Sequence, residues 1–179
     1  FGVPEDGIAI DLFGGGGYYS EILARAIGDD GRVYLHNNQA YLNFAGDALE
    51  ARLANGRLPN VIRYDRELDA IDLADDSVDL MLMVMAYHDL YFKTDGWDLD
   101  PDAFFAMAHR ILKPGGRFVF VEHVGAAPGS WLRRVQRCVK PVWRAVGDGC
   151  EPDRVLEVHV REAQRRLRGA GRRESSARL

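Results

Sequence analysis

Two short stretches of the chain carry residue types that could do chemistry. The first is DLFGGGG (11–17), in which Asp11 ends an apolar run and four glycines follow before a helical pattern begins. Glycines at such a place allow a ligand to approach bare backbone at the amino end of a helix. The second is YHD (87–89), where His88 titrates near neutrality and Asp89 could orient it. The first stretch is therefore suited to binding and the second to proton transfer.

Asp11 narrows the choice of ligand for the glycine stretch. The glycines match the dinucleotide pattern Gly-x-Gly-x-x-Gly imperfectly, because Ser20 stands at the third glycine position. A pyrophosphate is negative and would be opposed by Asp11, whereas S-adenosylmethionine carries a sulfonium and an ammonium that an acid favours. Tight strand–helix packing explains any single glycine, but four in a row cost backbone entropy that packing seldom requires. The stretch predicts a cationic, adenosine-bearing ligand.

Alternating strand and helix patterns surround these residues. Apolar runs predict strands at 8–13, 32–37, 60–65, 77–90 (leading into a loop or short helical turn) and 117–124. Helical periodicity predicts helices at 18–27, 40–56, 100–112, 129–146 and 153–171. The alternation is typical of a parallel sheet covered by helices on both faces. Ligands of such sheets bind beyond the carboxyl ends of the strands, which is where both stretches fall.

Composition and charge exclude several classes of protein. The 179 residues are 47% apolar, and no apolar run approaches the roughly 20 residues needed to span a bilayer. No signal-peptide pattern opens the sequence, so we expect a cytoplasmic protein with no membrane partner. Residues 1–130 hold 10 Lys+Arg against 21 Asp+Glu, whereas residues 131–179 hold 13 against 6. No aromatic side chain lies between the basic residues after Trp143, although segments that bind nucleic acid often combine the two types. The basic end therefore predicts a helix that lies against the acidic domain rather than a nucleic-acid-binding segment.

The chain resembles the class I S-adenosylmethionine-dependent methyltransferases over about residues 5–125. The resemblance rests on DLFGGGGYYSEILA, DGRVYLHN, LADDSVDLMLMVMAYHDL and RILKPGGRFVFVEHV, and it is closest to a group of bacterial predicted methyltransferases. It implies an α/β fold with a Rossmann-like doubly wound parallel sheet in the order 3-2-1-4-5. It also implies S-adenosylmethionine as cofactor and methyl transfer to a small-molecule acceptor.

The same resemblance implies which residues hold the cofactor. Those expected around its methionine part are Asp11, Gly14, Gly15 and Gly17, with Phe13 where the family's first glycine stands. The family holds the ribose with an acid at the end of strand two. Here Asn37 takes that position, so either Asn37 and Asn38 share the role or the cofactor differs.

Further contacts are expected from strands three and four. Glu67 would accept a hydrogen bond from the exocyclic amine of adenine, and the backbone amide of Leu68 would face a ring nitrogen. Met83 and Val84 could contact the cofactor at the end of strand four.

Catalysis of methyl transfer is mostly positioning, and a base is needed only if the acceptor loses a proton. We expect His88 to be that base and Asp89 to orient it. His123, next to Glu122 after strand five, is the second candidate.

The carboxyl-terminal part of the chain departs from the family. No terminal antiparallel hairpin of sixth and seventh strands is recognisable in 150–179, so strand five becomes a sheet edge. We therefore expect a cofactor-binding domain (1–128), a basic helical extension packed on it (129–170) and a disordered tail (171–179). A homodimer through the strand-five edge or the carboxyl-terminal helix is also expected.

Two alternative functions remain open from the residues alone. The altered glycine position and the missing acid allow a non-catalytic cofactor-binding or assembly module. A nicotinamide-dependent oxidoreductase is disfavoured by Asp11 and by the lack of a Tyr-x-x-x-Lys constellation.

Overall fold

The computed structural model describes residues 2–91, 93–94, 97–122 and 125–146, together with residues 161 and 165. Its central sheet contains five strands: β1 (Ile8–Leu12), β2 (Arg32–Asn37), β3 (Val61–Asp65), β4 (Val78–Val84) and β5 (Leu112–Val121). Their order is β3-β2-β1-β4-β5, and every neighbouring pair is parallel. The predicted Rossmann-like sheet and its strand order are confirmed.

Up to residue 146 the described helices are α1 (Tyr18–Ile27), α2 (Gln39–Leu53), α3 (Pro101–Ile111) and α4 (Trp131–Val146). Their starts follow from local chemistry. The Asn38 side chain accepts a hydrogen bond from the Tyr41 N–H and caps α2, and Asp100 caps α3 with a proline at its first position. Short 3₁₀ turns cover Ala54–Gly56, Leu68–Ala70 and Tyr87–Tyr91, and Lys93–Thr94 pairs with Trp97–Asp98 in a small ribbon.

β5 begins earlier than its apolar pattern predicts. Leu112 pairs with Val78, the register then shifts, and regular pairing resumes where Arg117 lies opposite Leu80. The intervening KPGG bulges out of the ladder, with Gly115 in the left-handed region (φ 84°). The regular part of the strand is 117–121, the first five residues of the predicted run 117–124.

The core forms two layers, one on each face of the sheet. On one face, Ala9 and Leu80 pack with Leu23 and Ile27 of α1. On the other, Ile10, Leu12, Met81 and Met83 pack with Phe104, Phe105 and Ile111 of α3. Because both faces are covered, the central strands are apolar on both sides, and the polar side chains near them collect at the strand ends.

Only some of the predictions for the carboxyl-terminal part of the chain concern residues that the structure describes. Among the described residues β5 pairs with β4 alone. The segment 150–179, where a terminal hairpin was not expected, lies outside the described residues except for positions 161 and 165. Within the described ranges, no helix has the length and apolar character to cross a bilayer.

Candidate active site

The glycine loop lies between β1 and α1 at the carboxyl edge of the sheet. Gly15 and Gly17 have φ values of 55° and 79°, which glycine adopts without strain. A Cβ on Gly17 would come within 2.5 Å of Leu35 Cδ1, and one on Gly16 within 3.0 Å of Ala48 Cβ. A Cβ on Gly15 would meet nothing closer than Ala45 Cβ at 3.8 Å. Close packing therefore explains Gly16 and Gly17, whereas the surroundings of Gly15 are more open.

Asn37 holds the backbone of Gly15 at both of its polar groups. Its Oδ1 accepts from the Gly15 N–H at 2.8 Å, and its Nδ2 donates to the Gly15 carbonyl at 3.0 Å. The side chain is fully buried. An amide can supply a donor and an acceptor together, which a carboxylate cannot. The structure thus gives Asn37 a loop-fixing contact, and its predicted role toward a ribose stays a prediction.

Replacing Asn37 with Asp, an acid of the kind that the resemblance implies at the end of strand two, is expected to lower the free energy of unfolding. The change places a carboxylate oxygen against the Gly15 carbonyl, and loss of a buried donor costs about 1–3 kcal/mol. Urea denaturation of the two proteins at pH 7 measures the difference. An Asn37→Asp variant of equal stability with tighter S-adenosylmethionine binding would show instead that Asn37 is a weakened ribose ligand.

The backbone of Phe13 adopts the left-handed conformation, which glycine takes more readily than other residues. Its φ is 54°, and its ring is buried between His36, with centroids 5.2 Å apart, and Tyr41, with centroids 5.0 Å apart. His36 accepts from the Phe13 N–H at Nδ1 and donates from Nε2 to the Arg66 carbonyl. Burial lowers the pKa of His36 to about 4, which keeps the ring neutral as these two bonds require. Ring packing thus holds Phe13 in a strained conformation.

Asp11 is a buried carboxylate beneath the amino end of α1. Its Oδ2 accepts from the Ser20 hydroxyl at 2.6 Å, and only 1% of the residue is exposed. Burial raises its pKa from 3.8 to about 6, although hydrogen bonds from Ser20 oppose the shift. A Cβ on Gly14 would lie 2.7 Å from the carboxylate, so Gly14 leaves it room. Asp11 is thus an acid kept in the core at an energetic cost.

His88 lies between two carboxylates where β4 and β5 end. Its Nδ1 is 2.8 Å from Glu122 Oε2, which also accepts from the His88 backbone N–H at 3.1 Å. Its Nε2 is 3.2 Å from Asp89 Oδ1, and the Tyr41 hydroxyl donates to Asp89 Oδ2 at 2.8 Å. The Glu122 side chain is 1% exposed and that of His88 is 19% exposed. These contacts form a chain of polar groups in which His88 keeps partial access to solvent.

Tyr41 connects this chain to the glycine loop. Its ring packs on Phe13 and its hydroxyl bonds to Asp89, so the start of α2 reaches from the end of β1 to the end of β4. Burial and the charge of Asp89 hold the pKa of Tyr41 well above its usual value, so it remains a donor. The predicted binding and catalytic stretches therefore meet at one edge of the sheet.

A cavity of about 720 Å³ opens beside β3 and α3. Asn38, Glu67 and Leu68 line one side, and Ala103, Phe104 and Met107 of α3 line the other. The structure thus brings together three of the residues predicted to contact adenosine. None of the four glycines lines this cavity.

The other predicted cofactor contacts are distributed differently. Met83 is fully buried in the core on the α3 side, whereas Val84 is half-buried at the end of β4 and packs toward the α1 side. Their roles stay predictions. His123 lies outside the described residues.

Sequence reasoning missed two members of the polar chain. Glu122 was paired with its neighbour His123, yet its carboxylate contacts His88, 34 positions away. Tyr41 was not predicted as a site residue, because an aromatic residue in the first turn of a helix is usually a packing residue. The adjacency of β4 and β5 could have suggested the Glu122 contact, whereas no local signal marks Tyr41.

Comparison with known proteins identifies the family. Residues 10–120 match the family described as "Methyltransferase domain", and the chain belongs to this family. The membership confirms the predicted class, the S-adenosylmethionine-dependent methyltransferases, and with it S-adenosylmethionine as the cofactor.

Two curated relatives and one solved structure illustrate the similarity. The thiol S-methyltransferase TMT1B of Rattus norvegicus is 32% identical over 108 residues, which are 58% of this chain and 41% of that protein. The ubiquinone/menaquinone biosynthesis C-methyltransferase UbiE of Teredinibacter turnerae is 28% identical over 122 residues, 68% of this chain and 45% of that protein. A SAM-dependent methyltransferase from Aquifex aeolicus shares the fold, with a TM-score of 0.57, 21% identity and coverage of 82% and 74%.

This chain therefore spans less than half the length of either curated relative. The relatives occur in a mammal and in a bacterium, and the narrower expectation of a bacterial group stays a prediction.

The cavity fits the adenosine part of the cofactor. Its volume falls within the roughly 300–1,000 Å³ common for small-molecule sites. The Glu67 carboxylate on its rim can accept from an exocyclic amine, and one of its oxygens already accepts from the Gln39 N–H at 3.0 Å. A polar rim over the apolar wall of Phe104 and Met107 suits a purine attached to a ribose.

Proposed function

We propose that this chain transfers a methyl group from S-adenosylmethionine to a small-molecule acceptor that loses a proton as it is methylated. The observation that carries the proposal is the position of His88, held between Glu122 and Asp89 at the carboxyl end of β4. In open α/β sheets this end of the central strands is where ligands bind. A histidine held there by a buried carboxylate is arranged for proton transfer.

Each residue of the cluster has a distinct part in the proposed reaction. Glu122 lies 2.8 Å from Nδ1 of His88 and would accept the proton of that nitrogen, so Nε2 would be the nitrogen that takes up the proton of the acceptor. Asp89, at 3.2 Å, stabilises Nε2 once it has taken a proton. Tyr41 holds Asp89 in place by donating to its second oxygen. This follows the nucleophile–base–orienter arrangement of other enzymes that activate an acceptor.

The cofactor would supply a methyl carbon that is electrophilic because it is bonded to a sulfonium. Asn38, Glu67 and Leu68 would hold its adenosine part, since they line one cavity. The apolar wall formed by α3 would exclude water from that part of the site.

We propose a small thiol as the acceptor class. A thiol has a pKa near 8.5, so at neutral pH only a few per cent is thiolate, and a base raises that fraction at the site. The acceptor proton would pass to Nε2 of His88, and the thiolate sulfur would take the methyl group and release S-adenosylhomocysteine. The similarity to TMT1B, named a thiol S-methyltransferase, supports this choice.

The proposal predicts binding and turnover that can be measured separately. Calorimetric titration should show micromolar binding of S-adenosylmethionine and of S-adenosylhomocysteine, and no heat with NAD. Incubation with 2-mercaptoethanol should yield the methyl thioether, while ethanol, the matched alcohol, should not react. Binding without methylation of any acceptor would favour the non-catalytic module, and absence of binding would refute the enzyme assignment for this chain.

A further inference from the structure

α4 separates its side chains by type around the helix. At about 100° per residue, one arc of roughly 120° contains only apolar side chains. Its described members are Trp131, Leu132, Val135, Val139, Val142 and Trp143. The rest of the circumference carries the described basic residues Arg133, Arg134, Arg137 and Lys140. No Asp or Glu occurs between Trp131 and Val146, so every charge on this helix is positive.

The apolar arc of α4 faces solvent. Trp131 and Val142 are 73% and 68% exposed, and Val135 and Val139 are 43% and 42% exposed. Arg133, by contrast, is only 8% exposed, and the Gln136 side chain accepts from the Ala126 N–H at 2.8 Å. The side chains of α4 that are held against the rest of the protein, Arg133 and Gln136, thus lie outside its apolar arc. An amphipathic helix that only covers a domain has the opposite orientation.

We infer that α4 is a docking surface for an anionic lipid bilayer. Helices that lie in the plane of a bilayer surface combine a segregated apolar face containing tryptophan with lysine and arginine on the polar side. In α4 the two tryptophans stand near the ends of the apolar arc, and the exposed Arg134 and Arg137 lie on its polar side. The apolar arc enters the boundary between headgroups and acyl chains, and the guanidinium groups meet lipid phosphates.

Charge disfavours pairing of α4 with the α4 helix of a second copy. Two α4 helices packed face to face would bring two sets of positive charges together, with no acid on either helix to pair with them. An anionic surface offers the opposite charge to the exposed guanidinium groups. This inference departs from the expectation of no membrane partner, and it does not depend on the proposed function.

Vesicle binding by the full chain tests the inference. Co-sedimentation should retain the protein on vesicles of phosphatidylcholine mixed with phosphatidylserine, and much less on phosphatidylcholine alone. Added salt should weaken the binding. Tryptophan emission should shift to shorter wavelength when the mixed vesicles are added, because Trp131 and Trp143 leave water.

A matched pair of variants assigns the binding to α4. Val139→Asp, at a position 42% exposed, should reduce vesicle binding about tenfold or more, because an apolar anchor becomes a charge. Ile22→Asp, at a position 40% exposed on α1, should leave binding unchanged. Equal losses in both variants, or no binding by the unaltered chain, would overturn the inference. A dimer that Val139→Asp converts to monomer, without vesicle binding, would assign the face to a second copy.

Discussion

Replacing Asp11 with Asn is expected to raise the free energy of unfolding at pH 7 by up to about 3 kcal/mol. The carboxyl is 1% exposed, and burial raises its pKa from 3.8 to about 6. A shift of about two units means that the ionised form costs the folded state about 3 kcal/mol relative to the unfolded chain. Asn keeps the oxygen that accepts from the Ser20 hydroxyl and removes the charge.

The gain in stability from Asp11→Asn depends on pH, because it comes from removing the charge of Asp11. At pH 7 Asp11 is ionised in both the folded and the unfolded chain, so the cost is almost fully present. As the pH falls from about 6 to about 4, the folded carboxyl takes up its proton before the unfolded one, and the cost disappears. The two proteins should therefore differ in stability at pH 7 and agree near pH 4. The lowered pKa of His36 acts in both proteins and cancels in the difference.

Urea denaturation of both proteins at pH 7 and pH 4 measures the effect, and Ser20→Ala is the matched control. That variant keeps the charge but removes a hydrogen bond to it, so it should be less stable than the unaltered chain at pH 7. A stability difference between Asp11→Asn and the parent that is equal at the two pH values would contradict the assignment of a raised pKa.

The same variant should bind S-adenosylmethionine at least tenfold more weakly. A protein that keeps a destabilising buried charge usually does so for function. Here the charge lies below the loop expected to meet a cationic ligand. Calorimetric titration measures the affinity, and an unchanged dissociation constant would reduce Asp11 to a residue that only accepts a hydrogen bond from Ser20 in the first turn of α1.

Replacing His88 with Gln is expected to lower kcat for thiol methylation by about 10²–10⁴, the usual contribution of a general base. The KM for S-adenosylmethionine should change little, because His88 does not line the adenosine cavity. A Gln side chain can still donate a hydrogen bond to Glu122, whose side chain is 1% exposed. The buried carboxylate therefore keeps a partner, and the fold should persist. Initial rates at saturating cofactor measure the loss.

A pH series distinguishes loss of a base from loss of structure. Above a pH of about 8.5 the thiol ionises without help, so the deficit of His88→Gln should shrink as the pH rises. His109→Gln, a change at a histidine of α3 outside the cluster, is the control and should retain kcat. A deficit for His88→Gln that is constant from pH 7 to pH 9.5 would show that His88 acts by shaping the site.

Much of the fold could be predicted because its determinants are local. The run IAIDL is apolar on both faces, which places β1 at the centre of a covered parallel sheet, and it is buried there in the structure. Asp100 with Pro101 marks the start of α3, and Asn38 opens α2 one residue earlier than its periodicity suggests. Side-chain period and capping chemistry act over a few residues, so they can be recognised in one chain.

Strand ends were harder to predict, because pairing partners decide them. β5 begins at Leu112 only because Val78 of β4 lies opposite it, and no pattern within LKPGG shows that contact. The run 77–90 similarly divides into a strand and a 3₁₀ turn at Val84, where the ladder with β5 ends.

The sequence by itself determined the family, the strand order and the separation of apolar and basic residues on α4. Only the tertiary structure decided that Asn37 holds Gly15, that Glu122 and Tyr41 belong to the His88 cluster, and that the apolar arc of α4 faces outward. The family and the strand order follow from sequence motifs that resemble the family, and the separation on α4 follows from the helical periodicity of near neighbours. The contacts that only the structure decided join residues 22 to 48 positions apart, and they exist only once the parallel register and the helix orientations have been set.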